Sequence, residues 1–158
     1  MNEVKIKFSD GTFKTYQKGT TFEKISKDFK GKYPYVGVKV DNVIYSLDDT
    51  VQENCSVEFI DFLDPLGAKM YKCGLMFILE VALKELYKDF EIHFLHSHPK
   101  GVYAEIKGDH ILTDDEVKKI KSKMSSIISS NERIKKYNVS KKDAIKYYKD
   151  HGYLEKSR

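Results

Sequence analysis

The stretch Tyr35-Val36-Gly37-Val38-Lys39-Val40-Asp41-Asn42-Val43-Ile44-Tyr45-Ser46-Leu47 decides how the first part of the chain folds. Apolar and β-branched residues run as far as Val40 and resume at Val43, a composition typical of strands. Asp41-Asn42 between them has the residue types of a tight turn. The stretch therefore predicts two strands, Tyr35–Val40 and Val43–Leu47, that pair as a hairpin.

The residues before this hairpin predict two more strands and a helix. Residues 4–8 alternate apolar and polar side chains, residues 9–12 read Ser-Asp-Gly-Thr and form a turn, and residues 13–16 continue as a second strand. Thr20 and Glu23 have the spacing of a capping box, which opens a helix. Its apolar side carries Phe22, Ile25 and Phe29, and Gly31 is placed to end it.

After the hairpin, Leu47–Val51 resembles a short helical turn, and Cys55, Val57 and Phe59 alternate as a final strand. The order β-β-α-β-β-β within residues 1–63 predicts a ubiquitin-like β-grasp domain. Asp64-Pro65-Leu66-Gly67 is the predicted domain boundary, because Pro and Gly interrupt both helices and strands.

The second predicted domain comprises residues 68–158. A long helix over 68–87 carries apolar residues around most of its circumference, so we expect it to be buried on most sides. Two strands, residues 91–95 and 102–106, flank a predicted loop from His96 to Gly101. Thr113 and Glu116 form a second capping box, and Ser140 caps a last helix. The order α-β-β-α-α predicts an α+β domain, so the whole chain is assigned to the α+β class.

Composition limits the location of the protein. No apolar run approaches the roughly 20 residues that span a bilayer, and the first residues lack the apolar segment of a signal peptide. Cys55 and Cys73 are the two cysteines, and both lie in apolar stretches, so we expect packed free thiols. These features predict a cytoplasmic protein with no membrane role.

Positive charge is concentrated late in the chain. Residues 117–146 contain ten Lys or Arg residues, opposed only by Glu132 and Asp143. Such a stretch can attract phosphate backbones, or it can be the solvated face of lysine-rich helices. The candidate RNA-binding residues are Lys118, Lys121, Lys135, Lys136, Lys141 and Lys142.

The layout resembles the amino-terminal half of threonyl-tRNA synthetases, in which a TGS domain precedes a second domain that hydrolyses wrongly charged tRNA. The likeness rests on Phe8-Ser9-Asp10-Gly11, on residues 36–41 and 57–59, and then on Ala82–Tyr87, 101–105, 112–117 and 140–144. The resemblance implies a TGS-like domain over 1–63 and an editing-like domain, truncated here, over 68–158.

One difference from that family concerns chemistry. The synthetases carry two histidines four residues apart on the long helix, where this chain has Phe77 and Val81. Two imidazoles on one helical face suit a zinc-type site, whereas Phe and Val bind no metal and transfer no proton. The resemblance therefore implies an editing scaffold without its usual metal site, and we expect both residues to be ordinary core.

A second resemblance is to bacterial uridine kinase-like proteins that carry the same front end ahead of a kinase domain. It rests on His96–Glu105 and on the ending Asp150-His151-Gly152-Tyr153-Leu154-Glu155-Lys156. No G-x-x-x-x-G-K-[ST] occurs, so ATP and Mg²⁺ are expected only for a kinase domain that this chain lacks. This resemblance implies a non-catalytic fragment whose partners are nucleotide or tRNA and the missing kinase domain.

The stretch around the histidines holds the candidate ligand-binding residues His96, His98, Lys100, Tyr103 and Glu105. Three hypotheses apply to it: a polar hairpin tip, a metal site at His96 and His98 with Glu105, or a ligand pocket using His96, Lys100 and Tyr103. For the whole chain, the alternatives to the kinase-associated region are an aminoacyl-tRNA editing hydrolase and a protein-interaction module that docks through a sheet edge.

Overall fold

The computed structural model describes residues 2–87, 90–98, 101–107 and 110–151. It is a mixed α+β structure, which confirms the predicted class. Two compact units are present, Met1–Met124 and Ser125–Arg158. The elements are β1 Glu3–Phe8, β2 Phe13–Gln17, α1 Phe22–Ser26, β3 Tyr35–Val40, β4 Val43–Tyr45, β5 Cys55–Asp61, α2 Pro65–Leu86, β6 Ile92–His98, β7 Gly101–Ile106, α3 Asp114–Ser130 and α4 Lys141–Asp150.

Strands β1 to β5 form one sheet in the order β2-β1-β5-β3-β4, with β1 and β5 parallel and the other neighbours antiparallel. The predicted hairpin is confirmed: β3 and β4 pair directly, and Asp41 and Asn42 adopt φ of 45° and 68°. Such positive values match the primed turns that suit the twist of paired strands. The core of the sheet consists of Val4, Ile6, Phe8, Phe22, Ile25, Val38, Val51 and Val57.

Helix α1 differs from its prediction at both ends. Its N-cap is Thr21, whose side chain accepts from the Lys24 amide, while the Thr20 hydroxyl donates to the Gln17 carbonyl. The helix ends at Ser26, well before Gly31. Residues 47–51 form a hydrogen-bonded turn instead of a helical one, and their carbonyls accept the free amides at the start of α1. A tertiary contact thus satisfies the donors that local capping was expected to satisfy.

Helix α2 begins at Pro65, three residues earlier than predicted. Asp64 caps it by accepting from the Leu66 amide at 2.7 Å. Proline suits the first helical position because the amide that it lacks would have no partner there. Gly67 is buried against the backbone of Asp61, where a Cβ would overlap the carbonyl oxygen. Pro65 and Gly67 therefore start the helix, and the prediction that they interrupt it was wrong.

The expectation that α2 is buried on most sides was also wrong. Only Gly67, Ala82 and Leu83 of this helix are buried. Phe77, expected in the core, is 49% exposed, and Cys73 is exposed as well. An apolar circumference shows what a helix could bury, but the described neighbours in its unit cover only part of that surface. Cys55 is half-buried, and burial raises the pKa of its thiol, with Asp41 and Glu53 adding to the effect.

Helices α3 and α4 start where the sequence predicts. The Thr113 amide donates to Glu116 Oε2 at 2.8 Å, and the Glu116 amide donates to the Thr113 hydroxyl at 3.3 Å, which is a complete capping box. The Ser140 hydroxyl caps α4 by accepting from the Asp143 amide. Among the described residues, no helix is long and apolar enough to cross a membrane.

Candidate nucleic-acid interface

The first part of the candidate site is the β6–β7 hairpin. The loop predicted from His96 to Gly101 is shorter in the structure, because His96, Ser97 and His98 belong to β6. His96 pairs with Tyr103 and His98 with Gly101, after a register shift between Phe94 and His96. The error has a simple origin: Pro99 and Gly101 indicated a break, but strand pairing continues up to the residues beside the tip.

Strand alternation gives the hairpin two different faces. His93, His96, Tyr103 and Glu105 are exposed, whereas the intervening residues of β7, including Ala104, are half-buried. Because alternate residues of a strand share a face, Tyr103 and Glu105 lie together with their partners His96 and His93. We call this surface, formed by His93, His96, Tyr103 and Glu105, the hairpin face.

Two aromatic rings stack across the hairpin face. The His96 and Tyr103 ring centroids are 5.0 Å apart and the rings are inclined by 23°. The Tyr103 hydroxyl donates to Glu105 Oε1 at 2.9 Å, and this bond is the main reason that the pKa of Tyr103 is raised. The phenol is therefore held in one orientation as a neutral donor. The face is open, so the predicted pocket takes the form of a surface.

Of the five candidate ligand-binding residues, the structure brings His96, Tyr103 and Glu105 together. His98 lies nearer the tip of the hairpin, opposite Gly101. Lys100 lies outside the described residues. Within those residues, no three His, Cys, Asp or Glu side chains are grouped so that they could hold a metal ion. The metal hypothesis for His96 and His98 therefore has no geometric support in the described part.

Phe77 and Val81 lie four residues apart on α2, so they share one helical face. Phe77 is 49% exposed and Val81 is half-buried. Beside them, Lys84 and Glu80 form an ion pair at 3.1 Å. The position that carries two imidazoles in the synthetases thus presents an aromatic ring and an aliphatic side chain, which supply neither a metal ligand nor a general base.

The candidate RNA-binding lysines are all exposed. In the first unit, Lys118 on α3 forms an ion pair with Asp115 at 3.2 Å, and Lys121 lies one turn further along. In the second unit, Lys135 and Lys136 lie in residues 131–140, which form neither helix nor strand. Lys141 and Lys142 occupy the first turn of α4.

Helix α4 adds residues to this site that were not among the committed candidates. Lys142, Lys146 and Lys149 follow a four- and three-residue spacing, which places them on one helical face, and all three are exposed. Tyr147, 56% exposed, stacks on His151 with ring centroids 4.1 Å apart. The spacing of the lysines is visible in the sequence and could have identified this face. Tyr153, considered with these tyrosines, lies outside the described residues.

Two further surfaces belong to the first unit. A depression of about 280 Å³ is lined by Ser9, Lys39, Asp41, Asn42, Ser56, Val57 and Glu58, and Lys39 and Glu58 form an ion pair there at 3.5 Å. Strand β4 lies at the edge of the sheet and exposes Val43, Ile44 and Tyr45. An exposed strand edge is the geometry that the protein-interaction alternative requires.

No family model matches the chain. Among curated proteins, it is 29% identical over 151 residues to the threonine–tRNA ligase of Natranaerobius thermophilus, an alignment covering 94% of this chain and 24% of the ligase. The corresponding enzyme of Caldanaerobacter subterraneus is 29% identical over 154 residues, and that of Finegoldia magna is 26% identical over 154 residues.

The chain spans about a quarter of the length of these relatives. The relatives give no support to the prediction of a uridine kinase-like protein or of a kinase domain as partner. They favour the alternative related to threonyl-tRNA synthetases. Over about 94% of its length, the chain is therefore similar to a region of threonine–tRNA ligases.

Proposed function

We propose that this chain is a non-hydrolytic RNA-binding region whose ligand is tRNA. The observation that carries the proposal is the match to threonine–tRNA ligases over 94% of the chain. The exposed lysines of α3, of residues 131–140 and of α4 support it, because lysines neutralise phosphates and release counterions on binding. The proposal places the protein in the cytoplasm.

The proposed domains follow from the same comparison. Residues 1–63 are a TGS-like β-grasp domain, supported by a five-stranded sheet with a central parallel pair and a short helix against its core. Residues 68–158 are an editing-like α+β domain. The proposed binding residues are Lys118, Lys121, Lys135, Lys136, Lys141 and Lys142, together with the hairpin face.

The absence of hydrolysis is proposed because of Phe77 and Val81. Hydrolysis of an aminoacyl ester needs an activated water, and a metal or a general base activates it. An aromatic ring and an aliphatic side chain do neither. Binding of the RNA can persist without the chemistry, since it depends on charges elsewhere in the chain.

The test is tRNA binding to the whole chain, measured by fluorescence anisotropy over a range of NaCl concentrations. We expect affinity to fall steeply with salt. A variant with Lys135, Lys136, Lys141 and Lys142 replaced by Gln should bind more weakly and show a shallower salt dependence, by up to about one logarithmic unit per lost phosphate contact.

A matched control replaces Lys7, Lys18, Lys24 and Lys30, four exposed lysines of the first sheet domain, by Gln. It removes the same charge, and we expect it to bind tRNA almost as the parent chain does. Equal losses in both variants, or no tRNA binding by the parent, would contradict the proposal. Hydrolysis of wrongly charged tRNA above the buffer rate would instead support the editing enzyme.

A further inference from the structure

We infer that the hairpin face is a stacking platform for an unpaired nucleobase of single-stranded RNA. The inference rests on the proposed function for its choice of RNA as the ligand class. It goes further by assigning a contact to the base itself, whereas the lysines contact phosphates. Bases exposed in single strands commonly bind proteins by stacking on aromatic side chains.

The two rings already form the beginning of a stack. His96 and Tyr103 are 5.0 Å apart and 23° from parallel, and each ring has a second side that does not face the other. Tyr103 is 48% exposed and His96 is also exposed. A base placed against either outer side would therefore extend the stack without moving a protein group.

The platform is fixed from several directions, which lowers the entropy lost on binding. The backbones of His96 and Tyr103 are paired in the hairpin, and Glu105 holds the Tyr103 hydroxyl at 2.9 Å. On the neighbouring residue of β6, whose side chain points to the other face, the Ser97 hydroxyl accepts from Lys72 of α2 at 3.1 Å. The ring pair is thus a preformed surface held at both its strands.

The groups beside the rings suit the polar edge of a base better than an aliphatic partner. Glu105 is a carboxylate, which accepts from exocyclic amino groups, and the imidazole of His93 lies opposite it in the strand register. Imidazole can donate to ring nitrogens and carbonyl oxygens or accept from amino groups. A flat ring surface bordered by such groups complements a nucleobase.

The experiment uses a single-stranded oligoribonucleotide with 2-aminopurine at one position, whose fluorescence falls when the base stacks. With the whole chain we expect quenching on binding. Tyr103→Ala and His96→Ala should reduce the affinity about tenfold each and abolish most of the quenching. Tyr103→Phe keeps a ring and should retain the quenching. Phe13→Ala removes an exposed ring from β2 and should change neither quantity.

Three further results decide the inference. An oligonucleotide with an abasic residue at the probe position should bind the parent chain and Tyr103→Ala equally, because the phosphates are unchanged. If the probe strand binds but Tyr103→Ala and His96→Ala neither weaken it nor restore fluorescence, the inference is wrong although the lysine-dependent proposal stands. If the lysine variants leave tRNA binding unaffected while 2-aminopurine riboside shifts the His96 NMR signals, the platform stands and the tRNA proposal fails.

Discussion

The carboxylate of Glu116 joins three groups at the start of α3. It accepts from the Thr113 amide at 2.8 Å and from the Thr113 hydroxyl at 2.9 Å, and it lies 3.1 Å from Nε2 of His110. These bonds, the Thr113 amide first, favour the ionised form and lower the pKa of Glu116. Part of the stability of α3 therefore depends on a charge.

We predict that Glu116→Gln lowers the free energy of unfolding at neutral pH and that the difference from the parent shrinks in acid. A carboxylate whose pKa is lowered by folding stabilises the protein above its unfolded pKa, and this contribution is lost as pH falls through the folded pKa. Glutamine keeps the shape needed for a capping box, so the substitution isolates the charge. Urea unfolding followed by circular dichroism, repeated at decreasing pH, measures the difference.

The control is Glu132→Gln, an exposed residue beyond the end of α3. It should have little effect at any pH. Thr113→Ala, which removes the hydroxyl of the box, should cost about 1 kcal/mol at neutral pH. A difference between Glu116→Gln and the parent that stays constant from neutral to acid pH would show that the charge is not responsible.

At the scale of elements, α2 contains two glycines in opposite surroundings. Gly67 in its first turn lies against the Asp61 backbone, where a Cβ would overlap the carbonyl group. A Cβ at Gly74 would meet nothing within 4 Å. We predict that Gly67→Ala destabilises the protein by about 1–3 kcal/mol, since backbone must move. Gly74→Ala should stabilise it by about 0.5–1 kcal/mol through helix propensity.

Each variant serves as the control for the other, because the chemical change and the helix are the same. Urea midpoints measured side by side should move in opposite directions from that of the parent chain. Two shifts of the same sign would mean that the close packing of α2 on β5 is not what Gly67 provides.

Elements whose signals are local could be predicted from the sequence. The Asp41-Asn42 turn and the boxes at Thr113 and Ser140 depend on residues within four positions of each other, and all three are confirmed. The start of α1 depends on residues 47–49, far along the chain, and its cap was misassigned. In the site, His96 and Tyr103 were named as candidates, but their stacking depends on a register that the sequence does not specify.

For the whole molecule, charge and order separate along the chain. The first sheet has a closed apolar core, whereas the lysine-rich residues lie on α3, α4 and the stretch between them. Residues 131–140 in that stretch are all exposed, and Ile134, Tyr137 and Val139 are more than 60% exposed. A segment of this kind makes few backbone hydrogen bonds, so a protease can accommodate it in extended form.

We predict that trypsin, among the described residues, cuts first after Arg133, Lys135 or Lys136. Lysines of the strands and helices are protected because cleavage there requires local unfolding. Mass spectrometry at short digestion times should find a product ending at 133–136 whose circular dichroism still shows the sheet. Replacing these three residues with Gln should slow the first cut severalfold while leaving the urea midpoint unchanged, since their side chains are exposed. First cuts within Glu3–Asp61 would contradict the prediction, because that region holds the buried core on which the rest of the first unit is built.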